Sequence, residues 1–161
     1  MVDGDDKWRA SDFDLTSLMV HISEKRDIDV FIGIYVSLDD KNVSRRLVKF
    51  DQADLGLGAN TRDYYLNRAN HGRKIEAYRQ LLISRVKLIY EYANIPKNDE
   101  KIISDANEII ELEVKIAKIM VAEEDRRDYF KRYNLRRLSD MQKLMPMVIW
   151  KNMENSTTDM D

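Results

Sequence analysis

The 161-residue sequence predicts a mainly α fold with one small β-hairpin. Two long segments repeat apolar residues in steps of three and four, and one short run is β-branched and aromatic. With 43% hydrophobic and 35% charged residues, the chain has enough apolar mass for one core and enough charge for a solvated surface.

Asp14 is a good N-cap for a first helix, in which Leu15, Leu18, Met19 and Ile22 recur at helical spacing and Glu24, Lys25 and Arg26 close the polar end. Val30-Phe31-Ile32-Gly33-Ile34-Tyr35-Val36 then reads as a buried strand, stopped by the turn-rich stretch Ser37 to Asn42. Residues 43–50 resume β-favouring side chains, so a hairpin over Asp39-Asp40-Lys41-Asn42 is the simplest connection. Two strands alone need helices packed on them. Residues 51–61 form a loop in which Gly56 and Gly58 allow backbone angles closed to other residues, and helix resumes near Thr61. Ile75, Tyr78, Leu82, Val86, Ile89 and Ala93 place a long helix over 72–94, halted before Pro96. A second long helix over 99–121, capped by Asn98 or Asp99, carries Ile102, Ile103, Ala106, Ile109, Ile110, Ile116, Ala117 and Met120, a face broad enough to pack on two sides. The short connection Ile95-Pro96-Lys97 makes the two long helices an antiparallel pair. Ser139 or Asp140 is expected to cap a last short helix before Pro146. Residues 1–151 read as a single mainly helical domain, and 152–161 as a polar, frayed tail.

Composition also excludes. A net charge of −2 gives no global attraction to nucleic acid or anionic lipid. The longest apolar run, Val30 to Val36, has seven residues, where a spanning helix needs about 20. The acidic opening, with Asp3, Asp5, Asp6 and Asp12, does not resemble a secretory leader, so neither a signal peptide nor membrane contact by this segment is expected. Without cysteine, disulfides, thiolate nucleophiles and sulfur-ligated zinc are all ruled out.

A catalytic zinc helix would show His-Glu-x-x-His, which sets two imidazoles on one face with a glutamate beside the bound water. His21 and His71 are far apart in the chain, and His21 with Glu24 reads as a solvated helix face. Paired carboxylates at Asp39-Asp40, Glu111 with Glu113, and Glu123-Glu124-Asp125 are too abundant to single out an acid-base site; Asp39-Asp40 reads as turn chemistry. Leu55-Gly56-Leu57-Gly58 lacks the later glycine of a phosphate loop. Arg126, Arg127, Lys131, Arg132, Arg136 and Arg137, interleaved with Tyr129, Phe130 and Tyr133, form a basic patch, but Glu123, Glu124, Asp125 and Asp128 cancel its field. No nucleic-acid partner is expected. Asn42-Val43-Ser44 and Asn155-Ser156-Thr157 make Asn42 and Asn155 candidate glycosylation acceptors, relevant only if the chain reaches the secretory pathway.

Several stretches fall in a specific order. Phe13-Asp14-Leu15 opens a helix, a strand leads into Asp39-Asp40-Lys41-Asn42, Ser44-Arg45 follows, and the next strand ends at Asp51-Gln52. Leu55-Gly56-Leu57, Arg62-Asp63-Tyr64-Tyr65-Leu66, the long helices, Glu123 to Asp128 with Arg126-Arg127-Asp128, Tyr133-Asn134 and Trp150 complete the series. Together they resemble the neprilysin and endothelin-converting-enzyme family of zinc metalloendopeptidases, in the N-terminal portion that precedes its catalytic motifs. The resemblance covers most of the chain. It implies a mainly helical, two-lobed ectodomain of a membrane-anchored or secreted enzyme, in which an HExxH helix and a later glutamate hold zinc. None of those ligands occurs here, so no catalytic or metal residue and no cofactor is assigned to this chain; zinc belongs to the complete parent enzyme. The implied partner is the parent's C-terminal catalytic lobe, with peptide substrates only in the complete enzyme.

Two departures stand out. Gly58-Ala59-Asn60-Thr61 replaces the family's short proline-containing link, and the cysteines that usually follow the Tyr-Tyr motif in animal members are absent, so a matching disulfide cannot form. The resulting expectation is a scaffold and cavity-wall fragment, inactive by itself, in which Asp39, Asp40 and Asn42 shape the turn while Arg62, Asp63, Tyr64 and Tyr65 fix the chain where it enters the helices. The alternative is a short stand-alone binding or decoy protein derived from the family.

Overall fold

The computed structural model describes residues 9–150, which divide into two compact units: Leu55–Glu123, and residues 9–54 with 124–150. The expected tail over 152–161, with Asn155, lies outside the described residues. Among the described residues the chain is mainly α, with six α-helices and one two-stranded antiparallel hairpin.

In the discontinuous unit, a 3₁₀ turn at Ala10–Asp12 precedes α1, Leu15–Arg26. Asp14 caps α1 as expected: its carboxylate accepts from the N–H of Thr16 at 2.9 Å and of Ser17 at 3.2 Å, and from the Ser17 hydroxyl at 2.6 Å. Phe31 takes a left-handed φ of 68°, which delays β1 to Ile32–Asp39. It pairs with β2, Asn42–Gln52, from Ile32↔Gln52 to Leu38↔Arg46, and after an irregularity at Leu38/Asp39 the ladder closes at Asp39↔Asn42. The hairpin is the expected one, but β1 is not the buried strand its composition suggests. Tyr35 and Val36 are 44% and 49% exposed, because the core of Met19, Val148 and Trp150 reaches only Ile32, Ile34 and Phe50 at the far end of the ladder.

That core is organised by Trp150. Its ring meets Phe50 edge-on at 5.0 Å, its indole N–H donates to the Met145 carbonyl at 3.2 Å, and the neighbouring Ile149 N–H donates to the buried Thr16 hydroxyl at 3.0 Å. A 3₁₀ turn at Asp125–Arg127 and two short helices, α5 at Tyr129–Arg132 and α6 at Leu138–Leu144, complete the unit. The α6 cap is Arg137 rather than Ser139 or Asp140. Asp140 sits in the first turn instead, and its carboxylate accepts from the Arg137 backbone N–H at 3.3 Å.

The continuous unit begins with a tight turn, Leu55 bridged to Gly58, in which Gly58 needs a φ of 93°. Then follow α2 at Arg62–Leu66, α3 at Arg68–Tyr92 and α4 at Asp99–Ile119. Helix α3 starts four residues before position 72 because the Asn67 side chain caps it, accepting from the Asn70 N–H at 3.2 Å. It ends in a left-handed residue, Asn94 at φ 52°, with the Asn94 N–H bonded to the Glu91 carbonyl and the Ile95 N–H to that of Tyr90. Asn98 then caps α4 through a 3.0 Å bond from the Lys101 N–H. Ile83 clusters with Ile102 and Ala106, while Ile75 clusters with Ile110 and Ala117. Positions falling along α3 thus meet positions rising along α4, the antiparallel pairing expected from the short connection. Leu55 and Tyr65 join the second cluster, so α4 packs on two neighbours.

Candidate functional site

In the hairpin unit the motif residues converge on Asp39, whose side chain is fully buried. Its carboxylate accepts from the Lys41 backbone N–H at 2.9 Å, from the Arg45 guanidinium at 2.6 and 2.7 Å, and from the Tyr133 hydroxyl at 3.2 Å. The Lys41 bond, the Arg45 pair and the Tyr133 bond hold this carboxyl below its ordinary range, whereas burial and the neighbouring carboxylate push the Tyr133 hydroxyl up. Lys41 also sets its ammonium 4.0 Å from the Tyr133 ring centre. Asp40 pairs with Lys49 at 2.8 Å, and the Asn42 side chain accepts from the Ser44 N–H at 3.1 Å. Asp51 pairs with Arg126 at 2.5 Å and accepts from the Gln52 N–H at 2.8 Å. Asp128 caps α5 through the N–H groups of Phe130 and Lys131, while Asn134 donates to the Lys131 carbonyl at 2.9 Å and Arg127 is exposed. The basic, aromatic patch is thereby divided: Arg126 and Tyr133 face carboxylates of the hairpin strands.

In the helical unit the convergence is on Glu113. Its Oε1 accepts from the Gly56 N–H at 2.6 Å and from the Tyr78 hydroxyl at 3.4 Å; the nearby Tyr65 hydroxyl accepts from the Leu57 N–H at 3.2 Å. The second oxygen, Oε2, is buried without a hydrogen-bond partner. Burial raises this carboxyl above its usual value against the pull of those donors. Burial, with the nearby Glu113, also pushes the Tyr78 hydroxyl up to about 12 and raises the Tyr65 hydroxyl. Gly56 is required by closeness rather than by its angles: a Cβ there would lie 2.0 Å from the Tyr78 hydroxyl and 2.5 Å from Glu113 Oε1. Arg62 donates through Nε to the carbonyls of Ala117 and Met120 at 3.0 and 3.1 Å, closing the C-terminus of α4, and pairs with Asp63 at 3.4 Å. The Tyr64 ring lies 4.7 Å from that of His71 at a 44° tilt, with the Lys74 ammonium 3.7 Å from its centre.

Pattern reading places Tyr78 on the α3 stripe and Glu113 among abundant carboxylates; that the two meet is decided by the packing of α3 on α4. Ile102, Ala106, Ile110, Glu113 and Ala117 follow steps of four, four, three and four, so a carboxylate on the apolar stripe of α4 was the available signal. Both centres act as internal ties, with the acids engaged by their own chain. Among the described residues no three His, Cys, Asp or Glu side chains come together as a metal's donor set, and His21 lies on an exposed face of α1. No helix among the described residues is long and apolar enough to cross a membrane.

The family model for Peptidase family M13 matches residues 1–160. Neprilysin-1 of Caenorhabditis elegans is 46% identical over 153 residues, covering 95% of this chain and 20% of its own. Neprilysin-11 of the same organism is 37% identical over 145 residues, covering 90% and 17%. Human Membrane metallo-endopeptidase-like 1 is 29% identical over 140 residues, covering 85% and 18%. The chain spans about a fifth of the length of these relatives. With the ordered motifs gathered at Asp39 and Glu113, and a match over nearly every residue, the chain belongs to peptidase family M13, the neprilysin family, and corresponds to its N-terminal region.

Proposed function

We propose that this chain is scaffold and cavity wall in the N-terminal region of a neprilysin-like zinc metalloendopeptidase, and that it does not hydrolyse peptides by itself. The observation that carries the reading is the engagement of two acids: Asp39 of the turn motif and Glu113 of α4 are tied to backbone N–H groups and to side chains of their own unit. A general acid or base must reach a substrate proton, and these carboxyls face their own tyrosines and arginine instead. In this reading Asp39, Asp40 and Asn42 hold the hairpin turn, Arg62 to Tyr65 anchor the start of the helical pair, and Asp51 with Arg126 and Tyr133 tie the later segment to the hairpin strands. The zinc ligands, the peptide-cleaving step and the partner surface belong to a C-terminal catalytic lobe, and the assembly is the ectodomain of a membrane-anchored or secreted enzyme.

The test is an assay of the purified chain with added zinc on a fluorogenic peptide. No turnover above buffer is expected. Chelator-sensitive cleavage that co-purifies with the 161-residue chain would overturn the reading.

A further inference from the structure

We propose that Asn42 is an N-glycan acceptor. The inference rests on the ectodomain reading, because the transfer takes place in a secretory lumen. Asn42-Val43-Ser44 has the acceptor pattern, but a pattern of three residues also arises by chance, so the local structure must carry the case. Every residue from Asp40 to Arg46 is exposed, and Val43, the middle of the pattern, is 72% exposed. A glycan is bulky and hydrophilic, and this stretch at the turn end of the hairpin is where one is accommodated without unpacking the core.

The side-chain geometry adds a second reason. Asn42 Oδ1 accepts from the Ser44 backbone N–H at 3.1 Å, an Asx turn that folds the amide back along its own acceptor tripeptide. Glycosylation uses the other atom of the amide. Nδ2 loses one hydrogen as a proton and bonds to C1 of an oligosaccharide, whose C1–O bond to a lipid-linked pyrophosphate breaks, with the electron pair leaving on the pyrophosphate. Oδ1 keeps its lone pairs, so the bond to Ser44 and the turn survive the modification. Asp39 remains buried on Lys41, Arg45 and Tyr133, none of which bonds Asn42.

The experiment directs the full chain into the secretory pathway of eukaryotic cells behind a cleavable leader, with Asn155→Gln present so that Asn42 is the remaining acceptor. Chain from both the medium and the microsomes is treated with peptide N-glycosidase. The expected result is one glycan-sized step in mobility that the enzyme removes, with Asp read at position 42 in the released peptide. Ser44→Ala should lose the step and leave the fold unchanged, since the Asx bond uses a backbone N–H; Ser44→Thr should restore it. Chain recovered from either fraction without the step overturns the proposal. The leader delivers the chain whatever its native address, so that failure counts against Asn42 alone, while peptide cleavage by the isolated chain counts against the scaffold reading alone.

Discussion

Glu113 carries the clearest consequence of burying a charge-capable group among apolar neighbours. Its carboxyl is raised above the ordinary 4.5 by burial, so the folded chain holds that proton more tightly than the unfolded chain does. The stability it contributes is fully present below pH 4.5 and is lost as pH rises through the raised folded value. Asp39 and Asp14 have the opposite sign. Both are lowered from 3.8, so their contribution is present above that value and is lost as pH falls through the depressed one. Glu113→Gln keeps the shape and an acceptor for the Gly56 N–H while removing the ionisation. Urea midpoints from about pH 4 to about pH 8 should therefore decline less steeply for the variant, with the acid-side loss unchanged. Identical slopes for the two proteins would show that burial does not perturb Glu113.

At the scale of elements, the helix pair is held by a stripe of small and branched residues rather than by its caps. Ile102 is 2% exposed and packs with Ile83 and Ala106, where the Ala106 methyl lets α3 and α4 approach. Ile102→Ala should cost about 2–5 kcal/mol, combining lost transfer energy with the cavity left behind. Ile119 lies on the same helix but is 83% exposed, and Ile119→Ala should stay within about 0.5 kcal/mol. Equal shifts of the urea midpoint in the two variants would contradict the antiparallel packing. Ion pairs across the connection, Lys87 with Asp99 and Glu91 with Lys97, are exposed and add little by comparison.

On the scale of the whole molecule, several large apolar side chains are open to solvent. Tyr92 is 93% exposed and Phe130 83%, and Leu88, Ile89 and Met147 are also open to solvent. Leu88 and Tyr92, one turn apart on α3, are exposed side by side with Ile89 next to them, and apolar surface grouped in this way is what binds another protein. The isolated chain should accordingly associate, with a light-scattering mass that climbs with concentration. A monomer at every concentration tested would favour a self-sufficient protein over a segment that is normally covered.

Periodicity is enough for α1, α3 and α4, and β-favouring composition around a turn for the hairpin, because an amphipathic face and a turn are properties of neighbours in the chain. Asp14, Asn98 and the Ile95-Pro96-Lys97 connection were readable for the same reason: a cap acts within one turn. The ordered motifs also carried the family. What local pattern could not supply were the encounters between distant positions, such as Glu113 with Gly56, Tyr65 and Tyr78, Asp39 with Tyr133, and Arg62 with the end of α4. Gly56 reads as a glycine of conformational freedom and is one of close approach, and β1 reads as a buried strand although Tyr35, Val36 and Leu38 face water. In each case the deciding quantity is burial, which depends on what the fold brings opposite a residue and not on its place in the chain.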